Sequence, residues 1–93
     1  MVDVDVVSEQ EGEGGWLFEL RLGPNVTRTL RLSWPDYDLW SNDGGDPPHA
    51  VARAVADFLL SRMTASEVPA VIDASTARRR FPDADKVIPT LIR

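Results

Sequence analysis

The chain has 93 residues, a formal net charge of −5 and no cysteine, which excludes disulfides, thiolate metal sites and thiol catalysis. No apolar run approaches the ~18 residues needed to cross a bilayer, so no membrane partner is expected. A chain of this length forms one domain, residues 1–93, with a core that needs no staple. The N-terminus lacks the succession of basic, apolar and small residues that marks a signal peptide, so a cytoplasmic protein is expected. Charge is uneven along the chain. Residues 1–46 carry ten acids and three bases, and residues 47–93 carry five acids and seven bases. Such polarity can steer a partner or favour self-association.

Val2, Asp3, Val4, Asp5 and Val6 alternate strictly, which predicts a strand with valines inward and aspartates outward. Ser8 to Gly15 is polar, acidic and glycine-rich, the composition of a mobile hairpin loop. Trp16, Phe18, Leu20 and Leu22 then alternate with Leu17, Glu19 and Arg21, the clearest strand in the chain. After a turn at Gly23, Pro24 and Asn25, a third strand sets Val26, Leu30, Leu32 and Trp34 on one face and Thr27, Thr29, Arg31 and Ser33 on the other. Arg28 interrupts the inward face where its long side chain can reach solvent. Hairpin-length connections make an antiparallel meander the simplest pairing.

Pro35 and Asp36 can open a single helical turn, and Asn42 to Gly45 is a loop. Asp46, Pro47 and Pro48 then signal a helix start, with Asp46 as the cap. From Pro47 to Met63, the residues Val51, Ala54, Val55, Phe58, Leu59 and Met63 form one apolar stripe. His49, Arg53, Asp57 and Ser61 step by four along the other side. Alanines at 50, 52, 54 and 56 favour the helix and keep its flanks thin enough to lie close to a sheet. Beyond Met63 the pattern weakens. Ala70 to Ile72 forms either a fourth strand or an extended packing segment. Asp73 caps a short helix from Ala74 to Phe81. Pro82 and Asp83 start a further turn through Ile88, which Pro89 limits, and Leu91 and Ile92 tuck back onto the body. The expected fold is α+β: a three-stranded antiparallel meander packed on one main helix, followed by short C-terminal helical turns.

The run from Phe58, Leu59 and Leu60 through Asp73-Ala74-Ser75 to Arg80-Phe81-Pro82-Asp83 resembles a class of small uncharacterised bacterial proteins with a C-terminal Asp-x-Ser segment leading to Arg-x-Phe-Pro-acid. That resemblance implies no activity. Pro35-Asp36, Gly45-Asp46 and the covering helix resemble, in order, the topology of HicB-like antitoxins. The Pro-Gly-Cys element and the Glu-Glu-Ala helix start of that family are missing.

Chemical constellations are sparse. His49 with Asp46 and Ser41 makes a formal trio, but no nucleophile-elbow sequence accompanies it. Asp36, Asp38, Asp43 and Asp46 are oxygen ligands of the kind calcium takes. The EF-hand spacing fails, because Trp40 and Ser41 occupy its fifth and sixth positions. Glycines at 12, 14 and 15 sit in an acidic loop between strands without the Lys-Ser/Thr of a phosphate loop. No metal, cofactor or small-molecule substrate is therefore assigned, and an enzyme is not expected. Arg78, Arg79 and Arg80 form one basic cluster. Three successive helical residues spread around the axis, and one or two of these arginines are expected to pair with the acidic first half. The densest candidate surface is Trp34 to Trp40, where Tyr37 and Trp40 serve as aromatic anchors beside Asp36 and Asp38. The competing reading places Trp34 in the core and lets Trp40 cap one end of it. The expected function is a non-enzymatic protein-interaction or self-association module. The alternative is a nucleic-acid-linked, antitoxin-like regulator using Arg78 to Arg80, against which Asp36 and Asp38 would repel phosphate.

Overall fold

A computed structural model describes residues 3–92; Val2, the first valine of the alternating run, lies outside them. The structure is an α+β domain with a four-stranded mixed sheet and several helices. β1 (Val4–Gly12), β2 (Gly15–Leu22) and β3 (Val26–Ser33) form the antiparallel meander. Trp16, Phe18, Leu20, Leu22, Leu30 and Leu32 are buried on one face, as their period-2 spacing requires. No helix among the described residues is long and apolar enough to cross a membrane.

Residues 8–15 are not the expected mobile hairpin loop. Ser8 to Gly12 continue β1 instead of forming a loop, and only Glu13 and Gly14 separate the strands. Polar side chains do not prevent pairing at an edge, where one side of the strand is solvated. A bulge at Val7 shifts the register from Val6 opposite Leu20 to Ser8 opposite Glu19. The extra residue turns Glu9 and Glu11 to positions opposite Phe18 and Trp16. Gly15 has φ of 150°, and a Cβ there would lie 2.0 Å from the Leu32 carbonyl oxygen. Only glycine allows β3 to approach so closely.

Trp34 does not extend the third strand, as expected, but leaves β3 and begins α1 (Trp34–Trp40). Ser33 is the cap: its hydroxyl accepts a hydrogen bond from the Asp36 amide at 3.2 Å, and Pro35 occupies the first turn. The main helix, α2 (Pro48–Leu60), is shorter than the periodicity suggested, and Pro47 precedes it without a side-chain cap. Asp46 is not its cap, because its carboxylate accepts from the Ser41 hydroxyl and the Asn42 amide.

Of the expected stripe, Val51, Ala54, Val55, Phe58 and Leu59 are buried, and so are Ala50, Ala52 and Ala56; Met63 lies beyond α2 and is half-buried. α2 packs on β1 and β2 and also against α1, α3 (Ser75–Arg80) and α4 (Ala84–Leu91). The thin alanine flanks thus admit neighbouring helices as well as the sheet. α4 continues through Pro89 to Leu91, past the expected stop at Ile88. Pro89 lacks the N–H that would donate to the Asp85 carbonyl, and Ile88 just before it is fully buried.

Of the two alternatives for residues 70–72 the structure has the fourth strand, so the sheet is four-stranded instead of the expected three. β4 (Val71–Asp73) pairs parallel to β3, with Thr29 opposite Val71 and Leu30 opposite Ile72. A parallel partner requires a long crossover, and the segment carrying α1 and α2 supplies it. Ile72 is buried against the core while Val71 stays exposed, too short an alternation to decide by itself between strand and packing segment. Arg28 does not simply reach solvent: its Nε donates to the Val68 carbonyl at 2.6 Å, fastening the connector after α2 to β3.

Phe58 is fully buried and meets Phe81 edge-on at 5.7 Å between centroids. Phe58→Ala is expected to lower unfolding free energy by about 3–5 kcal/mol, measured as a shift of the urea midpoint at unchanged slope.

Candidate functional site

α1 is the element around which the expected partner residues gather, and its helical geometry divides them into two sets. Residues 36, 37 and 40 lie at i, i+1 and i+4, one stripe of a helix. They are the inward set: Trp40 is 0% exposed, Asp36 5% and Tyr37 6%. Trp40 and Tyr37 therefore belong to the core, and Asp36 is buried beside them. The outward set is Trp34, Pro35, Asp38 and Leu39, all exposed, with Trp34 at 41% and Leu39 at 50%. Of the four expected contact residues, only Asp38 faces solvent. The sequence reading sets Trp34 on the inward face of the third strand and assigns Leu39 no role, so neither is named as a contact residue. Recognising Ser33 as a cap, with Pro35 and Asp36 behind it, is the signal that would have found them.

The buried set is held by a charge network. Arg78 donates through Nη2 to Asp36 and through Nε to Asp85 Oδ1 at 3.2 Å. Trp40 Nε1 donates to the same Asp85 oxygen at 2.9 Å. The Arg78 guanidinium also lies 5.4 Å from the Trp40 ring centroid, within cation–π range. Its hydrogen bond to Asp36 is the main cause of a pKa raised above the ordinary arginine value. Arg78 is thus tied between α1 and α4. Arg79 donates to Thr76 Oγ1 at 3.2 Å, and the Arg80 guanidinium lies 5.5 Å from the Phe81 ring. The three arginines diverge, and only Arg79 and Arg80 remain exposed.

The loop between α1 and α2 is pinned from both sides. The Tyr37 hydroxyl contacts the carbonyls of Gly44, at 3.1 Å, and of Asp46. Asp43 Oδ1 accepts from the Gly45 amide at 2.8 Å. Asp46 accepts from the Ser41 hydroxyl at 2.8 Å. Asp36, Asp38, Asp43 and Asp46 therefore do not converge, and no group of three metal-ligating side chains occurs among the described residues. His49 is exposed and lies 3.8 Å from Glu9, while the Ser41 hydroxyl is held by Asp46.

The C-terminal Arg-x-Phe-Pro-acid segment has a structural role. Arg62, just past α2, lies 4.7 Å from the Phe58 ring and 5.5 Å from the Phe81 ring and pairs with Asp83. That hydrogen bond holds the Asp83 carboxyl below its usual value of 3.8. Glu67 is held low as well, by hydrogen bonds from the backbone and hydroxyl of Thr64.

On the sheet face away from the helices, an open cleft of about 390 Å³ lies at the glycine hairpin, lined by Gln10, Leu17, Arg31 and Ser33 with backbone of Gly12 and Gly15. It exists because Gly12, Gly15 and Ser33 stand in register across three strands and leave that row nearly without side chains.

No protein-family model matches this chain, and neither the curated proteins nor the solved structures yield a match.

Arg78→Ala strands the buried Asp36 carboxylate and is expected to cost about 2–3 kcal/mol, less than a fully buried pair because Arg78 is partly exposed. Adding Asp36→Asn should recover part of that loss. A double-mutant cycle by urea unfolding measures the coupling, and strict additivity would contradict the network. The Asp83 contact has a defined pH dependence. Its folded pKa is depressed, so its contribution is full above pH 3.8 and is lost as pH falls through the lower folded value. Asp83→Asn is therefore expected to flatten the acid limb of a stability-versus-pH curve below about pH 4 and to leave the slope near neutrality unchanged.

Proposed function

We propose that this chain is a cytoplasmic, non-enzymatic protein-interaction domain whose contact surface is the outward face of α1. The observation that carries the reading is the exposure of Trp34 and Leu39 together on one short helix, with Pro35 and Asp38 between them. Trp34 is backed by Trp16 at 4.3 Å and Tyr37 at 6.2 Å between ring centroids, so it is presented on a rigid aromatic base. A preorganised aromatic anchor loses little entropy on binding. Asp38 favours a partner with a base opposite it. The buried network behind α1 fixes the helix, and the pinned loop after it holds its C-terminal end. The partner is a second protein or a second copy of this chain.

The nucleic-acid-linked alternative draws on the arginines of α3. With Arg78 committed to Asp36 and Asp85, it retains Arg79 and Arg80 only, and the geometry supports it less well.

Sedimentation equilibrium of the wild type beside Leu39→Arg tests the self-association form. Wild-type dimers, weakened at least roughly tenfold by the substitution at unchanged melting temperature, are the expected result for an anchor residue. A wild-type monomer at all concentrations moves the reading to a different protein partner. Dimers that survive both Leu39→Arg and Trp34→Ala in folded protein would remove α1 from the interface.

A further inference from the structure

A second surface lies on the opposite edge of the sheet from β4 and does not draw on the α1 face. The strand order β1-β2-β3-β4 leaves β1 paired on one side only. Its residues Val7 to Gly12 are all exposed. The bulge falls at Val7, so Ser8 to Gly12 form an uninterrupted ladder with β2, from Ser8 opposite Glu19 to Gly12 opposite Gly15. No proline interrupts it. An edge of this kind offers free backbone N–H and C=O groups to an added strand.

The charges on this edge decide what the added strand can be. Glu9 and Glu11 share a face of β1, two residues apart, and Glu13 follows in the turn. Among the described residues Glu11 and Glu13 make no ion pair, Glu9 has only His49 at 3.8 Å, and Asp5 is already matched by Arg21 at 3.1 Å. Antiparallel pairing of this segment with a second copy, centred on residue 9, 10 or 11, sets Glu9 against Glu9, Glu9 against Glu11, or Glu11 against Glu11. Like charges directly opposite one another destabilise a strand pair, and opposite charges stabilise it. Each of these three self-pairing registers is thus penalised by the same acids that favour a strand bearing bases at alternate positions.

We propose that the Ser8–Gly12 edge of β1 receives an extended peptide segment with lysine or arginine at alternate positions, adding a fifth strand to the sheet. Its backbone pairs with the free edge, and its bases lie opposite Glu9 and Glu11. The positions facing the open side of the sheet, beside Ser8 and Gln10, accept small polar residues.

The probe is a fluorescein-labelled Thr-Lys-Thr-Lys-Thr-Lys-Thr peptide, titrated with the full chain and followed by anisotropy and by amide chemical shifts. Saturable binding that weakens with salt is expected, with shifts concentrated in β1. The exposed double variant Glu9→Gln/Glu11→Gln should weaken it about fivefold, the combined effect of two opposite-charge cross-strand pairs. The same peptide with a fully N-methylated backbone, and a counterpart with glutamate for lysine, should not bind. Equal binding of the N-methylated or glutamate peptide, indifference to the double variant, or no binding at millimolar peptide would overturn the proposal. So would a wild-type dimer whose amide shifts map to β1.

Discussion

Burial of α2 on more than one side is the constraint from which the rest of this structure follows. A helix that only covered a sheet would keep a broad polar face. Here Val51, Val55, Phe58 and Leu59 are buried together with Ala50, Ala52 and Ala56, and α1, α3 and α4 all pack against the same helix. The alanines make this possible, because their small side chains allow backbones to approach while preserving helix propensity. The C-terminal segment is therefore not a loose wrapping. Ile88, Ala77 and Ala84 are fully buried, and Phe81 closes on Phe58 with Arg62 stacked over both rings.

Electrostatics joins the two halves of the chain. Asp36 comes from the acidic half, and Arg78 and Asp85 come from the other. One guanidinium meets both carboxylates while the Trp40 indole donates to the second. A carboxylate as buried as Asp36 is tolerated only with such a partner. The network thus fixes the orientation of α1, and with it which of its side chains meet solvent. The same logic places the aspartates of the following loop, whose carboxylates satisfy turn amides and a hydroxyl rather than an ion.

The two free surfaces differ in kind. The α1 face is apolar and aromatic with one acid, held rigidly from behind. The β1 edge is polar and acidic, and its backbone is paired on one side only. Between them, the open sheet face carries Leu17 and Val71 among polar side chains, as suits a layer with no helix over it. On the two proposals, affinity at the α1 face would come from excluding water around large side chains, whereas affinity at the β1 edge would depend on hydrogen bonds and charge and would be weakened by salt.

Much of the fold was legible because periodicity is a local property. The alternation of Trp16 to Leu22, the i, i+3, i+4 stripe of α2 and the turn at Gly23 report the solvent on each face of one element, whatever that element later touches. The meander and the main helix followed from them. The polar residues 8–12 misled, because pairing at an edge places no demand on side-chain hydrophobicity. Trp34 misled because it prolonged the alternation of β3 by one apolar residue. The choice between strand and helix there lies with a Ser33 cap and with the burial of Asp36, Tyr37 and Trp40. The sequence by itself determined the elements and the inward faces of β2, β3 and α2. The tertiary structure alone decided that β4 joins parallel to β3, that Trp40 is core while Trp34 is surface, and that Arg78 serves Asp36 rather than a partner. Those outcomes rest on contacts between residues 42 and 45 positions apart, and no local pattern encodes which distant side chain will complete a buried charge or cover an aromatic ring.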